Sequence, residues 1–144
     1  MQQEPLNDSQ EPGSASLTGS ILVVDDDRYI GSAVSKMLSE AGADVDQVDS
    51  ASNALESLNE RAADVVITDL VMNDADGFQL LKEIHAIDNS ISVIIMTSHA
   101  NPDLESKASA IGANGFLRKP FDSSTCVQAA AEALNLRRKK LGLS

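Results

Sequence analysis

The chain has one cysteine, Cys126, which excludes a disulfide framework and a cysteine-ligated zinc site. Tryptophan is absent, tyrosine occurs once and phenylalanine three times, so there is little material for a base-stacking surface. No apolar run approaches the ~20 residues of a membrane span, and the opening MQQEPLNDSQ lacks the basic and apolar regions of a signal peptide. Bases are scarce as well: 11 Lys and Arg stand against 22 Asp and Glu, for a net charge of −11. The imbalance is uneven. The first twenty residues carry three acids and no base, residues 137–140 read Arg-Arg-Lys-Lys, and the remainder holds 19 acids against 7 bases. A body this acidic repels phosphate backbones and disfavours nucleic acid as a direct partner. The expectation is a cytoplasmic protein without a membrane span, in which divalent metal is one use for the acidity.

What is present suits a single domain. The 144 residues are 42% hydrophobic, ordinary for a globular chain and enough for one self-sufficient core. Residues 1–19, rich in Ser, Gln, Pro and Gly, read as a disordered tail. A folded domain is expected over residues 20–137, with residues 138–144 as a basic C-terminal tail. Within the domain, short apolar runs alternate with segments of helical period. Ile21–Val24, Val45–Val48, Asp64–Asp69, Ile91–Met96 and Asn114–Arg118 read as strands, the second weak and polar like an edge. Between and after them lie helical patterns, the first built on Ile30, Ala33, Val34, Met37, Leu38 and Ala41. The last helix, Asp122–Leu136, is expected to turn Val127, Ala130, Ala131 and Leu134 inward. Asn101-Pro102 marks a helix start, and Gly42 and Gly112 mark helix ends. Strict alternation demands a parallel sheet with right-handed crossovers, and five units are too few to close a barrel. The fold class is therefore α/β, an open, doubly wound five-stranded parallel sheet with five helices.

In such sheets ligands bind beyond the carboxyl ends of the strands, near the point where strand order reverses. Those ends carry Asp25 and Asp26 on the first strand, Asp69 on the third, Thr97 and Ser98 on the fourth, and Lys119 on the fifth. Clustered carboxylates repel one another and call for a cation. A few hard oxygen ligands with room for water suit magnesium better than calcium. Metal, lysine and hydroxyl around one aspartate are the parts that stabilise a phosphoryl group during in-line transfer, which makes Asp69 a candidate nucleophile. The other candidates have plainer readings. Asp27 is a first-turn residue, Asp76-Gly77 a turn and helix cap, and Cys126 a small buried apolar group. His85, on a helix surface, and His99 have no metal-ligand spacing.

Five separated motifs, LVVDDD (22–27), VITDLVM (66–72), DG (76–77), IIMTS (94–98) and FLRKPF (116–121), resemble in order and spacing the receiver domains of two-component response regulators. The likeness runs from about Ile21 to Leu136. It implies strand order 2-1-3-4-5, shared by flavodoxin and chemotaxis regulators. It further implies a phosphoryl group accepted on Asp69 from a sensor histidine kinase or histidine phosphotransfer protein. Magnesium would be held by Asp26, Asp69 and the Val71 carbonyl, with Asp25 acting through water. Lys119 would meet the phosphoryl oxygens, Thr97 would bond the phosphoryl group, and Phe116 would follow Thr97 as a switch. The change would remodel the face of helix four, strand five and helix five, toward a downstream protein target. Lys119-Pro120 is expected to be cis by the same likeness. Asn73 stands where the family often has proline, implying a looser loop after Asp69. Val71 and His99 hold positions that tune dephosphorylation, and the apolar Val71 implies slow to moderate decay.

About eight residues follow the last expected helix, too few for an output module. Output would then come by binding other proteins, unless the chain is a receiver cut from a longer regulator. The 137–140 run reads best as a complement to the helix dipole. A rival class is the haloacid-dehalogenase-type phosphatase, for which Asp25-x-Asp27 fits while Tyr29 stands where Thr or Val is wanted. A passive pseudo-receiver is disfavoured because every reactive position is filled.

Overall fold

The computed structural model describes residues 17–143; of the tail expected over residues 1–19, residues 1–16 lie outside the described residues. The elements run β1 (Ser20–Val24), α1 (Arg28–Glu40), β2 (Asp44–Val48), α2 (Ala51–Glu60), β3 (Val65–Asp69), α3 (Gly77–Ile87), β4 (Ser92–Thr97), α4 (Pro102–Ala110), β5 (Gly115–Arg118) and α5 (Ser123–Lys140). Every strand pairing is parallel and the order is β2-β1-β3-β4-β5, the flavodoxin-like fold that was expected. Each helix starts where a short polar side chain takes up a free N–H of the first turn. Asp27, Ser50, Asp76, Asn101 and Asp122 are these N-caps, each worth on the order of 1 kcal/mol.

Alternation along the central strands splits the apolar residues between two layers. Ile21, Val23, Val65, Ile67, Ile94 and Met96 face one side, under α1 and α5. Leu22, Val24, Val66, Val93 and Ile95 face the other, with Ala54, Leu81, Ile84 and Ala108 from α2, α3 and α4. β2 is the half-exposed edge that its polarity suggested. Arg61 reaches across it to pair with Asp44 and Asp46, and charged side chains of this kind discourage edge-to-edge association.

Four local readings differ from the sequence expectation. Leu17 is buried in the α1/α5 layer, and its N–H donates to the Ala41 carbonyl at 2.7 Å, so ordered structure begins ahead of residue 20. Helix α5 continues to Lys140, taking in the basic residues expected to form a tail. Its buried stripe is Cys126, Val127, Ala130, Ala133 and Leu134, whereas Ala131 is exposed. Steps of three and four from Cys126 carry the stripe through Ala130 and Ala133, and Ala131 lies too far round the helix. His85 is half-buried rather than on the surface, with Nε2 2.9 Å from the Ile91 carbonyl. Among the described residues no helix is long and apolar enough to cross a membrane.

Candidate functional site

Strand order reverses between β1 and β3, and the acids sit there. β1 ends with Val24 beside Thr68 of β3, so the residues that follow, Asp25-Asp26 and Asp69, emerge side by side. One carboxylate oxygen from each of Asp25, Asp26 and Asp69 lies within 4.8 Å of the others. Lys119 arrives from the end of β5, where its N–H donates to the Thr97 carbonyl at 2.8 Å. Its Nζ stands 2.9 Å from Asp25 Oδ2 and 3.4 Å from Asp69 Oδ2. The Asp25 side chain is fully buried, and its other oxygen accepts the Asp27 N–H at 2.8 Å.

Three carboxylates therefore face a single ammonium. Two of them ~5 Å apart repel by roughly 3 kcal/mol at an effective dielectric near 20. Burial pushes the Asp69 carboxyl above its ordinary value; Lys119 opposes that shift and the neighbouring Asp25 charge adds to it. The donor set, hard oxygens from two adjacent loops, fits magnesium, whose charge would offset what Lys119 leaves unbalanced.

The loop after Asp69, expected to be loose, is fastened at several points. Its Asn73 N–H donates to Asp26 Oδ2 at 2.9 Å, and the Asp74 carboxylate accepts the N–H groups of Ala51 and Ser52 at the start of α2 (3.1 and 3.0 Å). Val71 forms an isolated bridge with Asp76, and the Gly77 N–H donates to the Leu70 carbonyl at 2.7 Å. Gly77 is required by space: a Cβ there would lie 2.6 Å from the Asp69 carbonyl oxygen. The sequence marks Asp76-Gly77 as a turn and helix cap and Asn73 as a replaced proline, and singles out nothing at Asp74. The Asp-Gly pair did signal Gly77. Nothing local signals Asp74, whose partners lie more than twenty residues away.

The remaining predicted residues occupy two neighbourhoods. Thr97 is buried, its Oγ1 accepting the His99 N–H at 3.1 Å. Exposed Ser98 joins Lys119, Pro120 and α1 residues around an apolar groove of about 370 Å³, and the Lys119-Pro120 bond is cis. Phe116 is half-buried opposite Ile95, on the α2–α3–α4 side, beside a cleft of about 210 Å³ lined by Glu105 and Ala108. Asp27, expected in the first turn, is instead the N-cap of α1, and its carboxylate accepts the Tyr29 and Ile30 N–H groups. That leaves a haloacid-dehalogenase pattern without its second aspartate at the rim.

A family model described as the response regulator receiver domain matches residues 21–131. The C4-dicarboxylate transport transcriptional regulatory protein DctD of Rhizobium meliloti is 35% identical over 119 residues, covering 83% of this chain and 26% of that protein. The DNA-binding transcriptional regulator NtrC of Escherichia coli is 34% identical over 117 residues, 81% of this chain and 25% of that protein. The chain thus spans about a quarter of the length of these relatives. The solved receiver domain protein of Clostridium thermocellum superposes with a TM-score of 0.77 at 35% identity, covering 85% of this chain and 97% of that one.

Proposed function

The chain belongs to the response regulator receiver domain family, and from that membership we propose that it is a phosphorylation-activated switch working in the cytoplasm, with Asp69 as phosphoacceptor. A carboxylate oxygen of Asp69 attacks the phosphorus of a phosphohistidine on a sensor kinase or phosphotransfer protein. The P–N bond breaks, and its electron pair returns to the donor imidazole. Asp26 and Asp69, with the Val71 carbonyl, would hold magnesium, and Asp25 would meet it through water. The ion, when bound, supplies charge neutralisation at the phosphoryl oxygens.

Lys119 neutralises a second side of the transferred group, releasing part of its contact with Asp69 as it does so. Thr97 turns its hydroxyl from the His99 N–H to a phosphoryl oxygen, drawing in the loop after β4. The Phe116 ring then moves into the vacated space, and the two packings make a bistable element. The face of α4, β5 and α5 carries the change to a downstream protein. The acidic body favours a protein over nucleic acid as that direct partner.

One observation carries this reading: three carboxylates and one lysine, from three loops far apart in sequence, converge at the reversal point of the sheet. The test is labelling by acetyl phosphate in magnesium. The wild type takes up one acid-stable, base-labile phosphoryl group, and Asp69→Asn takes up none. Undiminished labelling of Asp69→Asn would overturn the assignment.

A further inference from the structure

The segment Asn73-Asp74 does something that the proposed chemistry does not require of it. Asp74 is exposed, yet its two carboxylate oxygens accept separate backbone N–H groups, from Ala51 and Ser52 in the first turn of α2. These hydrogen bonds, the Ser52 N–H first and then the Ala51 N–H, hold the Asp74 carboxyl below its ordinary range. Ser50 already caps the same helix through the Asn53 N–H, so Asp74 takes donors that the local cap leaves free. Its neighbour Asn73 donates its N–H to Asp26. Two adjacent residues thus tie the loop after Asp69 in two directions, to α2 and to the β1–α1 loop. The tied stretch lies just after Val71.

We propose that Asp74 is a positioning residue for the acidic pocket. By anchoring the loop on the N-terminus of α2, it holds the Val71 carbonyl and the Asn73 N–H in place, and so orients the Asp26 carboxylate toward the metal. Groups behind metal ligands act in this way, through the orientation of the ligand. A proline at position 73 would restrict the loop covalently; here the anchor is an ion–dipole contact with a neighbouring helix. The inference rests on the metal-binding part of the proposed function.

The experiment is titration of the whole chain with Mn²⁺ by water-proton relaxation and with Mg²⁺ by calorimetry. Amide hydrogen exchange at Ala51, Ser52 and Asn73 is followed in parallel. Asp74→Ala should raise the dissociation constant about tenfold, the lower end for loss of an outer-shell partner. It should also speed exchange at all three amides together. Asp74→Asn, which keeps one carbonyl acceptor, should fall between Asp74→Ala and wild type. Equal weakening by Asp74→Ala and Asp74→Asn that vanishes in high salt would reduce the effect to simple charge and overturn the proposal. So would unaltered metal affinity once exchange at Ala51 and Ser52 has become fast. A wild type that binds neither ion would instead sink the proposed function, and the inference with it.

Discussion

The two ends of the sheet handle acidity in opposite ways. At the amino-terminal end, Arg137 of α5 sends its guanidinium to Asp64 at 2.9 Å, to Asp88 at 3.4 Å and to the Ser90 hydroxyl. Asp64 also accepts the Ser20 N–H, and the Ser90 N–H and hydroxyl both donate to Asp88. Ser92 donates to the Ala133 carbonyl, and Lys140 to that of Asn89. There each carboxylate has several donors and a cation at hand. At the carboxyl-terminal end, three carboxylates share one lysine. The first arrangement closes on itself, fastening α5 across the starts of β1, β3 and β4. The second leaves negative charge that only a further cation can balance, as a site shaped for a ligand rather than for its own stability must.

If this contrast holds, perturbing either end leaves the other unaffected. The largest effect is expected at the rim. Magnesium at a hundred times its dissociation constant should stabilise the wild type by about 2.7 kcal/mol. Asp26→Asn should lose that gain while its metal-free stability stays level or rises, as urea unfolding with and without the ion will show. Next, Arg137→Ala should cost about 2 kcal/mol, held to that size because Asp64 and Asp88 are more than a third exposed. Its magnesium affinity should stay within twofold of wild type. A loss of both would mean that the ends are coupled.

Acid should separate the ends by sign. Asp69, pushed above 3.8 mainly by burial, contributes a stabilising effect that is full below the unfolded value and lost as pH rises through its raised one. Asp88 is pulled below 3.8, first by the Ser90 hydroxyl, then by the Ser90 N–H, with Arg137 adding less. Its contribution is full above the unfolded value and lost only as pH falls through the lowered one. Carboxyl ¹³C titration of the metal-free protein should therefore find Asp69 above and Asp88 below the ordinary range; the reverse order would break the comparison. The smallest effect concerns rate alone. Val71→Asn, placing a polar side chain on the exposed rim, should speed loss of the acyl phosphate several-fold, read by radiolabel chase, without moving the unfolding midpoint.

Much of the rim was legible because its residues mark themselves locally. Asp25, Asp26 and Asp69 each end an apolar strand, and Lys119 precedes a proline at the end of another. Parallel topology then obliges all strand ends of one polarity to meet. The opposite end was not legible. Arg137 read as one of four bases suited to a helix end, when in the fold it is the single half-buried member with acidic partners 49 and 73 residues away. Ala131 and Ala133 both fit an apolar helix when Val127 starts the count, and the burial of Cys126 against the sheet is what selects Ala133. Asp74 sat in a run of small and acidic residues with no periodicity to read.

By itself the sequence determined the alternation of five strands and five helices, the placing of acids at strand ends and the family those motifs spell. Each depends on period and spacing along a few consecutive residues, which local sterics and burial translate directly into structure. Only the tertiary structure decided which acids are satisfied and which are left in excess, that Asp74 grips α2, and that Arg137 locks the far edge. Those outcomes depend on distances between segments that crossovers bring together, and a hydrogen bond or an ion pair falls away within an ångström or two of misplacement.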